Sequence, residues 1–184
     1  VKDRFLILSL ENNSNFYISF GSLIPYFTEA GNFFTLTPNN QKVEINNDSL
    51  IKYTKIHSFK EVIFYGMQLL GTPYLWGGKS SFGYDCSGLI QMLCKLAGYQ
   101  FPRDCSIQIK SNLLIKINTK NIEIGNLVYF KENDKVVHVG IFVNKNEYLH
   151  CSGYVKINSI NNADKNYDDT LYNKIKGFYK LKTL

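Results

Sequence analysis

The stretch "YDCSGL", residues 84–89, follows the glycine-rich run "YLWGGKSSFG" at 74–83 and opens a segment with helical spacing. Leu89, Ile90, Leu93 and Leu96 recur on one side until Gly98, a helix-capping residue type, ends the pattern. Cys86 therefore stands at the start of a helix predicted over about 86–97. Unpaired backbone N–H groups and the helix dipole favour negative charge there, which lowers a thiol pKa and raises the fraction of reactive thiolate. Ser87 and Gly88 are small enough to let a carbonyl group approach, and the Cys86 N–H could donate to an oxyanion. Taken alone, the cysteine leaves a buried filler and a nucleophile both open. Cys94, near the apolar stripe, reads as core.

Upstream, "HSFKEVIFYGMQLLGTPY" at 57–74 carries a capping-box pair, Ser58 and Glu61, before Phe59, Val62, Ile63, Met67 and Leu70 at helical spacing. Gly71 and Pro73 end that helix. Residues 4–56 read differently: "RFLILSL", "FYISFGSLIPYF", "NFFTLTP" and "KVEINN" are strand-like runs separated by turn-forming clusters. A β module over 1–56, with an SH3-like barrel as its natural form, thus precedes a second domain over 57–184. Downstream, after "FPRDCSIQ" at 101–108, come the strand candidates "GNLVYF", "KVVHVGIFV" and "NEYLHCSG". Helices followed by antiparallel strands make the second domain α+β.

A nucleophilic cysteine needs a base, and the chain has three histidines. His57 lies at the domain boundary, whereas His138 and His150 lie in consecutive strands, twelve residues apart. A hairpin pairing 138 or 140 with 150 turns both imidazoles to one side, and a slip of one residue separates them. The first imidazole could then take the thiol proton while the second orients it. The same three side chains could be proposed as zinc ligands, but no fourth ligand stands at a recognisable spacing, and a Cys-His-His catalytic set needs fewer assumptions. No metal or organic cofactor is expected.

The formal charge of +6 belongs wholly to residues 57–184, because residues 1–56 hold five basic and five acidic side chains. The lysines are scattered rather than interleaved with aromatics, so a solvated surface is expected and not a nucleic-acid groove. No run approaches the ~18 apolar residues that span a bilayer. Four cysteines, none in a C-x-x-C pair, are too few for a disulfide scaffold and read as free thiols. They lean towards the reducing cytoplasm, with export left open because the chain starts at Val1.

Together, "GTPYLWGGKSSFGYDCSGLIQ", "FPRDCSIQ", "GNLVYF…HVGIFV" and "YLHCSG" resemble the NlpC family of papain-like cysteine peptidases over about residues 58–180. The pattern is most similar to the γ-D-glutamyl-L-diamino acid endopeptidases, in which SH3-like domains precede the catalytic domain. The resemblance implies Cys86 as nucleophile, His138 as base and His150 as the residue orienting it. It implies Tyr74 beside the nucleophile, and Asp85, Ser87, Asp104 and Cys105 in a pocket for a murein peptide, L-Ala-γ-D-Glu-diamino acid. Cys105 departs from the pattern, which has a serine there, and Asn126 replaces an aspartate. An acidic residue of the first module would hold the substrate amine, with Glu29, Glu44 and Asp48 unranked. Read without the resemblance, Tyr74 and Trp76 would pack a loop over the helix, and Arg103 would form a surface ion pair with Asp104.

Overall fold

The computed structural model describes residues 1–10, 12–51 and 57–183. The chain divides into two units, Val1–Lys55 and Ile56–Leu184.

In the first unit, β1 (Phe5–Ser9) and β2 (Asn15–Ser19) form one antiparallel hairpin, and β3 (Phe27–Glu29), β4 (Asn32–Leu36) and β5 (Lys42–Ile45) form a three-stranded antiparallel sheet. Strand alternation sends Leu6, Leu8, Val43 and Ile45 into a shared core with Val1 while Ile7 and Glu44 face outwards. The run 16–27 that reads as one strand is two, because β2 ends at Ser19 and the chain turns at Gly21 with φ +73°.

In the second unit, α1 (Phe59–Gly66) begins with the expected capping box: the Ser58 hydroxyl accepts the Glu61 N–H, and the Glu61 carboxylate accepts the Ser58 N–H at 2.9 Å. Such a cap contributes about 1 kcal/mol. The short strands β6 (Lys79–Ser80) and β7 (Gly83–Tyr84) form a hairpin that delivers the chain to α2 (Cys86–Leu96). Gly98, at φ +85°, ends α2: its N–H donates to the Lys95 carbonyl and the Tyr99 N–H to the Cys94 carbonyl. After α3 (Cys105–Gln108) come β8 (Leu114–Ile117), β9 (Leu127–Glu132), β10 (Lys135–Phe142), β11 (Glu147–Ser152), β12 (Tyr154–Ser159), α4 (Asp169–Tyr172) and β13 (Ile175–Leu181).

Six of these strands form one antiparallel sheet in the order β12-β11-β10-β9-β13-β8. Helices packed on an antiparallel sheet agree with the α+β expectation. Leu89, Ile90 and Leu93 of α2 are fully buried with Val139, Ile141 and Leu149 of the sheet. Each such side chain contributes about 1.5–3 kcal/mol on burial. Gly66 of α1 sits against Leu93 and Leu149, which brings both helices onto β11.

Candidate active site

The start of α2 is tied down from three directions. Asp85 is its N-cap: Oδ1 accepts the Gly88 N–H at 2.7 Å, and Oδ2 accepts the N–H of Gly77 in the glycine-rich turn at 2.9 Å. Arg103 donates to both oxygens of the same carboxylate, 2.9 Å to Oδ1 and 2.5 Å to Oδ2, and to Ser87 Oγ at 2.9 Å. Gln108 Nε2 donates to the Ser87 carbonyl at 3.1 Å and the Pro102 carbonyl at 2.9 Å, fastening α3 to the same turn. Burial by itself would raise the Asp85 carboxyl, but Arg103 and the N–H groups of Gly88 and Gly77 outweigh it and hold the group below the usual carboxylate range. Arg103 therefore does not form the surface pair with Asp104 that the sequence suggests. Its partner is a largely buried carboxylate eighteen residues upstream.

The hairpin register decides where the histidines point. Gly140 of β10 pairs with His150 of β11, one of the two alignments that put both imidazoles on one side. His138 Nε2 lies 2.8 Å from His150 Nδ1. A β-bulge between Val136 and His138, where β10 pairs with β9, re-aims the strand just before the first imidazole. Phe130 of β9 and Tyr148 of β11 pack against His138 and His150 respectively, with centroids 5.3 and 5.1 Å apart. Beyond the pair, His150 Nε2 is 2.7 Å from Asn158 Oδ1 of β12. His150 has no exposed surface, and burial pushes its pKa down to about 4, so the ring is neutral at ordinary pH.

Cys86 brings the thiol to this pair. It is 6% exposed, and both His138 and the Cys105 thiol act on its ionisation. The two sulfurs rest on consecutive carbonyls of the bulged strand: Cys86 Sγ is 4.0 Å from Val137 O, and Cys105 Sγ is 3.7 Å from Val136 O. The Cys105 contact and burial push the Cys86 thiol up to about 12 against the opposing pull of His138. The same contact lowers Cys105. Two neighbouring thiols thus compete for one negative charge. This corrects the expectation from helix placement alone. The helix start and His138 favour a thiolate on Cys86, but dehydration and a second thiol oppose it.

The other expected pocket residues are distributed unevenly. Tyr74, whose N–H donates to the Gly153 carbonyl at 2.9 Å, has its phenol pKa raised by burial first and then by the charge of Cys86. Asp85 and Ser87 are buried and engaged with Arg103, whereas Asp104 is exposed at the start of α3 and forms no cap bond. Asn126 holds a turn, its Oδ1 accepting the Glu123 N–H at 2.9 Å. Trp76 does not pack over the helix, since 87% of it is exposed. His57 lies outside the cluster, edge-on to Tyr65. Among the acidic residues of the first unit, Glu29 forms an ion pair with Lys42. Among the described residues, no group of three or more His, Cys, Asp or Glu side chains could hold a metal ion, and no helix is long and apolar enough to cross a membrane.

A thiol near an imidazole that is braced by a second imidazole can perform acyl transfer through a covalent intermediate. Arg103, Gln108, Phe130, Tyr148 and Asn158 were not singled out as members of this arrangement by sequence reasoning, because each joins it across strands or loops with no local spacing signal.

Residues 71–175 match the NlpC/P60 family. The chain is 29% identical over 137 residues to a gamma-D-glutamyl-L-lysine dipeptidyl-peptidase of Bacillus subtilis, covering 72% of this chain and 46% of that protein. It is 32% identical over 119 residues to dipeptidyl-peptidase 6 of Lysinibacillus sphaericus, covering 62% of this chain and 42% of that protein. It therefore spans less than half the length of these curated relatives. In fold it is similar to the crystal structure of an NlpC/P60 family protein from Bacillus cereus, with a TM-score of 0.82 at 23% identity over 98% of this chain and 62% of that one. RipD of Mycobacterium tuberculosis, a non-catalytic NlpC/P60 domain protein adapted to peptidoglycan binding, shares the fold at a TM-score of 0.52 and 20% identity over 70% of this chain and 99% of that one. With more than half of its length matching the family, the chain belongs to NlpC/P60.

Proposed function

We propose that this protein is a cysteine peptidase that hydrolyses the γ-D-glutamyl-L-diamino acid bond of murein peptides. The observation that carries the reading is the pairing of His138 Nε2 with His150 Nδ1 at 2.8 Å, with His138 acting on the ionisation of the Cys86 thiol. The relatives named gamma-D-glutamyl-L-lysine dipeptidyl-peptidase support the choice of bond. Cys86 attacks the amide carbon as His138 takes its proton, and the N–H of Cys86, at the first turn of α2, donates to the tetrahedral oxyanion. His138 returns the proton to the leaving amine, and water then hydrolyses the thioester. Asp85 and Ser87 shape the glutamyl pocket together with Arg103, and Tyr74, Asp104 and Cys105 complete its walls. We read the five antiparallel strands of the first unit as an SH3-like module.

A second reading, an amidase or acyltransferase using the same three residues, is favoured by one observation. Cys105 supplies a thiol where the family pattern supplies a hydroxyl, which weakens a hydrogen bond to the expected substrate. Incubation with L-Ala-γ-D-Glu-diaminopimelate, followed by mass spectrometry, separates the readings. Release of L-Ala-D-Glu supports the peptidase, and an intact substrate sinks it. Undiminished cleavage by Cys86→Ala would remove the mechanism.

A further inference from the structure

The contact series does not stop at His150. Asn158 Nδ2 donates to the Asn166 backbone carbonyl at 2.8 Å, while Asn158 Oδ1 faces His150 Nε2. A carbonyl can only accept, so the Asn158 amide must turn its NH2 towards Asn166 and its oxygen towards His150. An amide oxygen also can only accept, so His150 Nε2 must carry a proton. In the neutral His150 ring Nδ1 is then bare, and it accepts the His138 Nε2–H across 2.8 Å. A neutral His138 is left with a bare Nδ1, the one ring nitrogen free to face Cys86.

The anchor of this proton pattern is a backbone atom in a braced loop. The Asn166 carbonyl also accepts the Ser159 N–H at 3.0 Å, and the Asn166 side chain donates to Glu147 at 2.8 Å. Asp164 closes the loop by accepting from Ser159 Oγ at 2.6 Å and from Asn161 Nδ2 at 3.0 Å. A side chain in a mobile loop could flip its amide and exchange the two His150 tautomers. Asn158, in β12 directly beside β11 and held to a fixed carbonyl, is prevented from doing so.

We propose that Asn158 is a positioning residue: held by the Asn166 carbonyl, it sets the tautomers of both histidines and keeps His138 Nδ1 bare and turned to Cys86. The catalytic part of this inference rests on the reading of Cys86 and His138 as nucleophile and base, whereas the tautomer part does not.

The test is long-range 1H–15N correlation of the histidine rings in the full chain, with kinetics on the tripeptide. The wild type should show His150 protonated on Nε2 and bare at Nδ1, and a His150 proton on Nδ1 overturns the proposal whatever the substrate proves to be. Asn158→Leu removes the acceptor and should mix the His150 tautomers, lowering kcat roughly 10- to 100-fold with KM unchanged, the size of loss seen when a partner that orients a metal-ligating histidine is removed. Asn158→Asp keeps an acceptor and should restore the Nε2–H tautomer and most of the lost kcat. An Asn158→Leu variant with wild-type tautomers and kcat overturns the proposal. If Asn158→Leu does not fold, the wild-type spectrum and the Asp variant still decide. A wild type that shows the expected tautomers but cleaves no peptide removes the substrate reading and leaves the positioning role standing.

Discussion

Arg103 holds Asp85 through both terminal guanidinium nitrogens, and the same carboxylate caps the helix that presents Cys86. Asp85 is 7% exposed, so removing the cation leaves a poorly hydrated charge. Arg103→Leu should cost about 1–3 kcal/mol of stability, read as a lower urea midpoint. Because the folded Asp85 pKa is depressed, its contribution is complete above about pH 4 and lost as the pH falls through the lower folded value. The wild type should therefore lose stability more steeply than Arg103→Leu below pH 4, and parallel curves would contradict this.

His150 supplies a second titration that also costs stability as the pH falls, but from a different cause. Its folded pKa of about 4 lies below the ordinary histidine value of 6.5 because burial disfavours the cation. Asn158 and the Asp168 charge oppose that shift, and the Lys156 charge reinforces it. Between about pH 6.5 and pH 4 the unfolded chain binds a proton that the folded chain does not, so stability falls as the pH drops through that window. The loss is bounded at about 3 kcal/mol. Guanidinium unfolding of wild type and His150→Gln at pH 7 and pH 4.5 should show the larger drop in the wild type, and equal drops would refute the burial argument.

Cys105 acts on Cys86 through the shared charge. Cys105→Ser replaces the competing thiol with a hydroxyl that does not ionise in this range, so the Cys86 thiolate should form at lower pH. Alkylation of Cys86 by iodoacetamide at a fixed pH between about 8 and 10, followed by peptide mapping, should be faster in the variant because more of the thiol is ionised. An unchanged or slower rate would show that the two thiols do not share a charge.

Gly140 is the register partner of His150, and the approach there is close. A Cβ at this position would stand 2.8 Å from Tyr148 Cδ2 and 3.3 Å from His150 Cβ. Gly140→Ala should push the His150 ring away from His138, cutting kcat at least about tenfold and costing about 1–3 kcal/mol from overpacking. Unchanged peptide hydrolysis would mean the hairpin absorbs the methyl group without moving the imidazole.

The sequence by itself determined the parts that depend on short-range physics. The capping box at Ser58 and Glu61, the Asp85 cap, the apolar stripe of α2 and its stop at Gly98 are all set within one or two helical turns, and all are present in the structure. The strands carrying His138 and His150 were legible from their β-branched residues, and the spacing limited the registers that bring the rings together. Strands β8, β12 and β13 were not singled out, because lysine and asparagine interrupt their apolar residues and only pairing with neighbours makes them strands. Tertiary structure alone decided that Arg103 reaches Asp85 rather than its neighbour, that a bulge sets two thiols on consecutive carbonyls, and that Asn158 completes the histidine series. Those contacts join positions from eight to fifty-one residues apart, beyond the reach of any one element's local pattern. The charge balance at Cys86 depends on burial and on a second thiol, and neither is encoded in the helix start that first made the cysteine look reactive.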